Sequence, residues 1–174
     1  MISLKMPLNL IKIYNALLDI HALNAYQRSA SLMGIFNRDI ANHPNFCFRN
    51  RPITPTPKDG VIEMQTLFTH LTTVMVCKTT RAREYDPDRS CRLHWLKYHI
   101  EERKPDNMLI FSVEEPDGFR TYIYDVEEKY VVVLEPLREI DAYYLLSAYH
   151  VTGKDAKRDK FGSKYRKRRL PDIL

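Results

Sequence analysis

The sequence predicts an α+β protein, with helices in the N-terminal part and a four-stranded antiparallel β-sheet in the C-terminal part. Apolar residues recur at helical spacing up to about residue 103, whereas the four short segments that follow are rich in aromatic and β-branched residues. Short connections join these four segments, which favours antiparallel hairpins because parallel neighbours need a long crossover. A chain of 174 residues with 44% apolar residues is large enough to bury a core.

Two helices are expected in the first forty residues. An apolar pattern with helical spacing follows Pro7. Its members are Leu10, Ile11, Tyr14, Leu17 and Leu18. A second helix is predicted over residues 26–40, and the prolines and glycine of residues 42–60 favour a linker or a long surface loop. We therefore predict a helical extension with a Pro-rich linker over residues 1–60, and an α+β domain over residues 61–174.

Two further helices are predicted before the sheet. The first runs from about residue 61 to residue 75. The second begins with Asp86 as the capping residue and Pro87 at the first helical position, and it ends near residue 103. Arg92, Trp95 and His99 lie on one side of this helix, because residues three and four apart face the same direction.

The four strands are predicted at residues 107–113, 119–125, 129–135 and 142–150. Alternation along a strand places Arg120 on the same face as the tyrosines two and four residues later, and it places Ser147 and Tyr149 together on the last strand. Hydroxyls beside basic groups are suited to holding a phosphate, because they donate hydrogen bonds where Arg or Lys supplies charge. Half-buried strand aromatics are the alternative interpretation, since the chain contains 11 tyrosines.

Positive charge is concentrated at the C-terminal end of the chain. Residues 151–174 hold nine Lys and Arg against three Asp, a net charge of +6, whereas the whole chain carries +5. A near-neutral body with a basic arm indicates a polyanionic partner such as nucleic acid. A solubilising tail, or a patch that meets an acidic protein, is the alternative.

Several function classes lack their sequence signatures. The nucleotide-binding motifs GxGxxG and GxxxxGK[ST], the hydrolase motif GxSxG and the zinc-protease motif HExxH are absent, so we expect neither a metal nor another cofactor. No apolar run reaches the roughly 18 residues of a membrane span, and no secretory signal is expected. The three cysteines are typical of reduced thiols, which favours a cytoplasmic site of action. The protein could reach that site from within the cell or by delivery from another cell or a phage.

Four short motifs occur in a characteristic order between residues 64 and 169. They are LFTHL at 67–71, RSCRLHWL at 89–96, YLLSAY at 144–149 and KYRK at 164–167. In this order they resemble phage-associated nucleases of the barnase–EndoU–colicin–RelE superfamily, in which a helix with the pattern R-x-x-R-L-x-W precedes antiparallel strands and a closing L-[ST]-A-Y strand. His94 stands where that family pattern has a proline, and the resemblance does not extend to residues 1–63.

The resemblance implies metal-independent cleavage of RNA, with tRNA or another structured RNA as the substrate. A base takes the proton of the ribose 2′-hydroxyl, whose oxygen attacks the phosphorus and gives a 2′,3′-cyclic phosphate. Imidazole suits the proton transfers, and cations and hydroxyls stabilise the phosphate charge. The candidate catalytic residues are His70, Arg92, His94, His99, Arg120, Ser147 and Tyr149, and the candidate RNA-binding residues are Lys97, Lys164, Arg166, Lys167 and Arg168. A toxin-like enzyme of this kind would need an acidic immunity or antitoxin protein as a partner.

Two other functions stay open from the sequence alone. A non-catalytic nucleic-acid-binding or phage regulatory protein would use the same basic arm and bind RNA without turnover. A protein-interaction module would instead dock on a partner through the N-terminal helices. Convergence of His, Arg, Ser and Tyr side chains in one cleft would favour the nuclease over the binding protein.

Overall fold

The computed structural model describes residues 8–174, and the start of the predicted first helix at Pro7 lies outside them. The described strands are β1 (Cys47–Phe48), β2 (Arg51–Pro55), β3 (Thr73–Met75), β4 (Arg83–Tyr85), β5 (Met108–Glu115), β6 (Gly118–Asp125), β7 (Tyr130–Leu137) and β8 (Ala142–His150). The α-helices are α1 (Ala25–Phe36), α2 (Met64–Thr72), α3 (Pro87–Ser90), α4 (Trp95–Ile100), α5 (Gly153–Lys157) and α6 (Lys160–Lys167). A 3-10 turn occupies Asn9–Ile11, and a π-helical turn extends α1 over Asn37–Ala41.

Six strands form one mixed sheet in the order β1-β2-β8-β7-β6-β5. Neighbouring strands are antiparallel except β2 and β8, which run parallel with Ile53 opposite Tyr143. Strands β3 and β4 pair separately as a two-stranded sheet. The prediction of a four-stranded antiparallel sheet is therefore wrong, although the α+β class holds and the four predicted strands correspond to β5–β8.

Four strands were not predicted, and two of them, β1 and β2, lie in the segment that was expected to be a linker. The β1–β2 ladder contains two residue pairs and the β2–β8 ladder contains three. Ladders this short need few N–H donors, so Pro52 fits within β2, while the next residue, Ile53, donates its N–H to the carbonyl oxygen of Phe46 at 3.1 Å. The side chain of Ile53 is buried and anchors β2 in the core.

A segment of turns and irregular backbone, which we call the N-terminal strap (residues 8–24), replaces the predicted first helix. Its backbone is bound by the rest of the protein: the indole N–H of Trp95 donates to the carbonyl of Ala16 at 3.2 Å, and the N–H of Leu18 donates to the carbonyl of Cys91 at 2.9 Å. These contacts satisfy backbone groups that a helix would have satisfied internally. The helix prediction was wrong because tertiary contacts outweighed the apolar spacing.

The remaining predicted helices are present with changed boundaries. Helix α1 with its π-helical extension agrees with the prediction for residues 26–40, and α2 ends at Thr72, where the chain enters β3. The helix expected from residue 86 to residue 103 is divided into α3 and α4 by a turn. The predicted cap is confirmed, because the Asp86 carboxylate accepts the N–H of Arg89 at 3.1 Å.

The sheet buries both of its faces. One face carries the larger core, in which Ile123 and Val132 pack with residues of α1, α2 and α4. The opposite face carries Tyr122 and Val131, which pack against Phe161 of α6. The segment predicted as a basic arm therefore packs against the protein where it forms α5 and α6. Its helices lie on the sheet, and they bring the positive charge to one face of it.

Candidate functional site

His99 belongs to a buried ion cluster. Its side chain is 0% exposed, with Nδ1 2.7 Å from the carbonyl oxygen of Trp95 and Nε2 3.0 Å from Oδ2 of Asp125. Both neighbours are acceptors, so both ring nitrogens are engaged in hydrogen bonds within the protein. His99 therefore has no free nitrogen to accept a proton from a substrate hydroxyl.

Asp125 completes this cluster and is also fully buried. It accepts hydrogen bonds from the Tyr14 hydroxyl at 2.6 Å, from Lys104 at 3.0 Å and from two backbone N–H groups of the following turn. Burial opposes ionisation, but the hydrogen bonds from His99, from the turn, from Tyr14 and from Lys104 outweigh it and hold the pKa of Asp125 well below its ordinary value. The cluster ties the N-terminal strap, α4 and β6 together, which is a structural role.

Two further candidate imidazoles also lie on the helical side of the protein. His94 is 5% exposed, and its Nε2 donates to the carbonyl of Ile13 at 3.1 Å. Burial lowers the pKa of His94, so the ring stays neutral. His70 is half-buried on α2, where burial and then Arg83 and Arg89 lower its pKa. The structure does not bring His94 or His99 together with Ser147 and Tyr149.

Four of the predicted site residues do meet, in a cleft of about 390 Å³ that we call the Arg120 cleft. These residues are Arg120, Ser147, Tyr149 and Lys164. The floor is the row Tyr122–Val133–Ser147, which runs directly across β6, β7 and β8. The rest of the lining is Glu115, Pro116, Asp117, Lys160 and Phe161. The predicted alternation along β6 and β8 therefore places its polar side chains on one shared face.

Carboxylates accompany the cations of the Arg120 cleft. Arg120 lies 3.2 Å from Glu135 and donates to a backbone carbonyl at 2.7 Å. Glu115 accepts the Tyr122 hydroxyl at 2.8 Å and also pairs with Lys164. Burial opposes ionisation of Glu115, but the hydrogen bonds from Lys164 and Tyr122 lower its pKa overall. The cleft is thus polar, internally paired and close to neutral.

A second cleft of about 310 Å³ adjoins the first and shares Tyr149 with it; we call it the His150 cleft. Its lining residues are Asp86, Asp88, Arg89, Tyr149, His150, Val151, Thr152 and Asp155. Nδ1 of His150 lies 3.0 Å from Oδ2 of Asp88. Because the carboxylate is an acceptor, Nδ1 carries the proton and Nε2 keeps its lone pair in the neutral ring. An imidazole oriented in this way can act as a general base.

Two arginines flank the pair of His150 and Asp88. The guanidinium carbon of Arg89 is 5.4 Å from the ring centroid of Tyr149, and its Nε is buried without a hydrogen-bond partner among residues 8–174. Arg92 does not line the cleft; it pairs with the other oxygen of Asp88 and lies over Trp95. Arg89 is therefore the guanidinium that faces the cleft, while Arg92 holds the carboxylate that orients His150.

The hydroxyl of Tyr149 is a donor in this setting. Burial raises the pKa of Tyr149, and Asp155 adds to this effect, while Lys160 and Arg89 act in the opposite direction. Lys160 in turn pairs with Asp155 at 2.8 Å, and this hydrogen bond raises the pKa of Lys160. Both groups thus carry their protons at neutral pH.

The predicted RNA-binding residues divide between two regions. Lys164, Lys167 and Arg168 line a third groove, of about 380 Å³, along α6. Arg166 also belongs to α6 and pairs with Asp159 at 3.0 Å. Lys97 lies apart from them in the groove beside His94. Helix α6, packed on the sheet, therefore presents most of the basic groups.

The sequence analysis did not select three residues of the His150 cleft: Asp88, Arg89 and His150. The position of His150 next to Tyr149, at the end of a predicted strand, is a signal that could have pointed to it. Its partner Asp88 is 62 residues away in the sequence, so no local pattern reveals the pair.

Among residues 8–174, no three or more His, Cys, Asp and Glu side chains come close enough together to hold a metal ion. None of the helices in the described part of the chain combines the length and apolar character needed to span a bilayer. Comparison of the chain with family models, with curated proteins and with solved structures gives no match.

Proposed function

We propose that this protein is a toxin-like, metal-independent endoribonuclease that cleaves RNA where the His150 cleft and the Arg120 cleft meet. The observation that supports this best is the arrangement around Tyr149. The imidazole of His150, held by Asp88, and the guanidinium of Arg89 lie on one side of it, and the hydroxyl of Ser147 lies in the cleft on the other side. Base, cation and hydroxyl donors are the groups that this reaction requires.

His150 takes the role of general base in this proposal, in place of His70, His94 and His99. Its Nε2 accepts the proton of the ribose 2′-hydroxyl while the bond from O2′ to phosphorus forms. The bond from phosphorus to O5′ breaks, and the leaving oxygen receives a proton from Tyr149 or Lys160. Arg89 stabilises the charge on the non-bridging oxygens. The products are a 2′,3′-cyclic phosphate and a 5′-hydroxyl end.

The test is cleavage of end-labelled RNA by the purified protein in the presence of EDTA. We expect cleavage of total tRNA with cyclic phosphate ends, and no cleavage at a nucleotide whose 2′-hydroxyl is replaced by hydrogen. His150→Gln should lower the rate by about 10²- to 10⁴-fold, the usual contribution of a general base. The matched control is His21→Gln at an exposed histidine that lines neither cleft, and this variant should retain the wild-type rate.

Any of three results would overturn the proposal. Intact RNA after incubation with the wild-type protein would exclude the activity under these conditions, and so would cleavage that appears only when Mg²⁺ is added. Wild-type cleavage by His150→Gln would place the base elsewhere.

Binding of nucleic acid without cleavage is the second candidate function. It is favoured by one observation, the concentration of Lys164, Lys167 and Arg168 along the α6 groove. These cations would hold successive phosphates without any need for the His150 cleft. Tight, salt-dependent binding of RNA that stays intact would support this function against the nuclease.

The proposed enzyme implies a site of action and a partner. The substrate tRNA places its action in the cytoplasm, and we propose an acidic immunity or antitoxin protein as its inhibitor. A net charge of +5, with the excess near α6, favours a partner of opposite charge that covers the same surface.

A further inference from the structure

We infer that the Arg120 cleft binds the unstacked base of the nucleotide next to the cleaved phosphate, so that the substrate is an unpaired segment of RNA. The identity of the ligand rests on the proposed function, because only a nucleic-acid substrate brings a base to this surface. The geometry of the cleft and the test below do not depend on cleavage.

The floor of the cleft has the width and the surface that a planar ring needs. Tyr122, Val133 and Ser147 stand directly opposite one another on three adjacent strands. Neighbouring strands are about 4.8 Å apart, so this row spans roughly 10 Å. On the side of α6, the ring of Phe161 packs against that of Tyr122 with centroids 5.2 Å apart, and both rings are almost fully buried beneath the cleft. The half-buried side chains of Val133 and Tyr149 are the apolar and aromatic surface that the cleft leaves accessible, and an aromatic ring supports a base of any identity by stacking.

The electrostatics of the cleft favour a base over a phosphate. Glu115 already neutralises Lys164, and Glu135 neutralises Arg120. A phosphate placed here would lie beside the Glu115 carboxylate and would meet cations that are already paired. A neutral base meets no such repulsion, and it finds donors in Arg120 and an acceptor in Glu115 for hydrogen bonds to its edge.

The two clefts are adjacent, so that one can hold the base of a nucleotide and the other its phosphate. Tyr149 lines both, so a base in the Arg120 cleft directs its own phosphate group towards Arg89 and His150. Arg89 lines the His150 cleft, where its guanidinium can donate hydrogen bonds to a phosphate oxygen. A base stacked and paired in a duplex cannot enter a cleft of this kind without leaving the helix. Loops and single strands therefore fit, and duplexes do not.

Binding of the four ribonucleoside 3′-monophosphates to the wild-type protein, with inorganic phosphate for comparison, tests this inference. We expect at least one nucleotide to bind about 10-fold more tightly than phosphate, in line with the energy of stacking one base. Amide chemical shifts measured by NMR should change at Val133 and Ser147 with the nucleotide and not with phosphate. Val133→Phe fills the floor of the cleft and should remove the preference for the nucleotide. The control Val74→Phe makes the same change on strand β3, where the side chain is 40% exposed, and should preserve it.

Equal affinity for phosphate and for all four nucleotides would overturn the inference, as would chemical shift changes confined to the His150 cleft. The shift map of the wild-type protein decides the question even where Val133→Phe fails to fold. Nucleotide binding in the Arg120 cleft without any cleavage of RNA would support the inference and contradict the proposed nuclease. Cleavage of RNA with no preference for nucleotide over phosphate would support the proposed nuclease and contradict the inference.

Discussion

The carboxylate of Asp125 shows how much one residue can depend on its neighbours. It is fully buried and accepts hydrogen bonds from the side chains of Tyr14, His99 and Lys104 and from the N–H groups of Glu127 and Glu128. Its pairing with His99 takes place without contact to solvent. Removing one partner of such a pair leaves the other charge buried and uncompensated.

We predict that Asp125→Asn lowers the free energy of unfolding by about 3–5 kcal/mol at pH 7, the usual cost of breaking a buried ion pair. Urea denaturation followed by circular dichroism measures this change. Asp106→Asn is the matched control, because Asp106 is exposed and its replacement should change stability by less than about 0.5 kcal/mol.

The effect of Asp125→Asn should depend on pH in one direction. Folding lowers the pKa of Asp125 below the ordinary value of 3.8, so the unfolded chain takes up this proton first as the pH falls. The stabilisation is complete well above about pH 4 and is lost as the pH drops through the lowered pKa. The difference between wild type and variant should therefore shrink in acid, and a constant difference down to about pH 2 would contradict this account.

At the scale of elements, α6 depends on the sheet beneath it. A helix of eight residues is too short to be stable alone in water. It is held by Phe161, which is 1% exposed and has its ring centroid 5.3 Å from that of Tyr124. The lysines that line the Arg120 cleft and the α6 groove therefore stay in place only while this ring is buried.

We predict that Phe161→Ala destabilises the protein by about 3–5 kcal/mol and also weakens RNA binding, because the α6 wall is lost. Phe119→Ala, at a half-buried position on β6, should cost less and leave RNA affinity unchanged. Denaturation and fluorescence anisotropy with labelled RNA measure the two effects. Unchanged RNA affinity in a folded Phe161→Ala variant would show that α6 does not contribute to binding.

Strands β5–β8 were predictable because each hairpin is specified by neighbouring residues in the sequence. Strands β1 and β2 were not, since β2 pairs with β8, and Ile53 meets a residue that lies far along the chain at Tyr143. The first helix was predicted from the helical spacing of apolar residues. In the structure this segment forms the strap instead, because Trp95 and other residues of the body bind its backbone. Local patterns were thus sufficient for the hairpins of β5–β8, but they missed the short β3–β4 pair and failed where distant residues decide.

The same distinction applies to the candidate site. Alternation along β6 and β8 was sufficient to group Arg120, Ser147 and Tyr149, which do share a cleft. The sequence analysis expected His99 to transfer protons. Its position along the helix could not test this expectation, because its burial and its two hydrogen-bond acceptors depend on the tertiary structure. The pair of His150 and Asp88 was missed for the same reason.

At the scale of the whole molecule, charge is distributed unevenly. Residues 151–174 carry a net +6 while the whole chain carries +5, and the packing of α6 on the sheet brings this charge beside the Arg120 cleft and the α6 groove. Proteins that bind nucleic acid through cations release counterions on binding, so their affinity falls as the salt concentration rises.

We predict that replacing the exposed Lys157 and Lys167 by alanine weakens RNA binding uniformly across sequences and reduces the salt dependence. For single-stranded RNA, the slope of log K against log salt should become less negative by about 0.7 for each lost phosphate contact. Anisotropy titrations between about 50 and 200 mM KCl measure the slope. The control replaces the exposed Lys58 and Lys78 outside the basic segment, and an equal change of slope there would mean that the binding surface lies elsewhere.

The parallel pairing of β2 with β8 has a consequence for synthesis of the chain. Closing the loop between Ile53 and Tyr143 joins positions 90 residues apart, and contacts of such long sequence separation slow folding. While the ribosome is still producing the intervening segment, β1 and β2 can form only a hairpin whose outer edge has no neighbour. The nascent protein thus exposes an unpaired strand edge until β8 emerges, which makes this interval the one in which a chaperone would matter most.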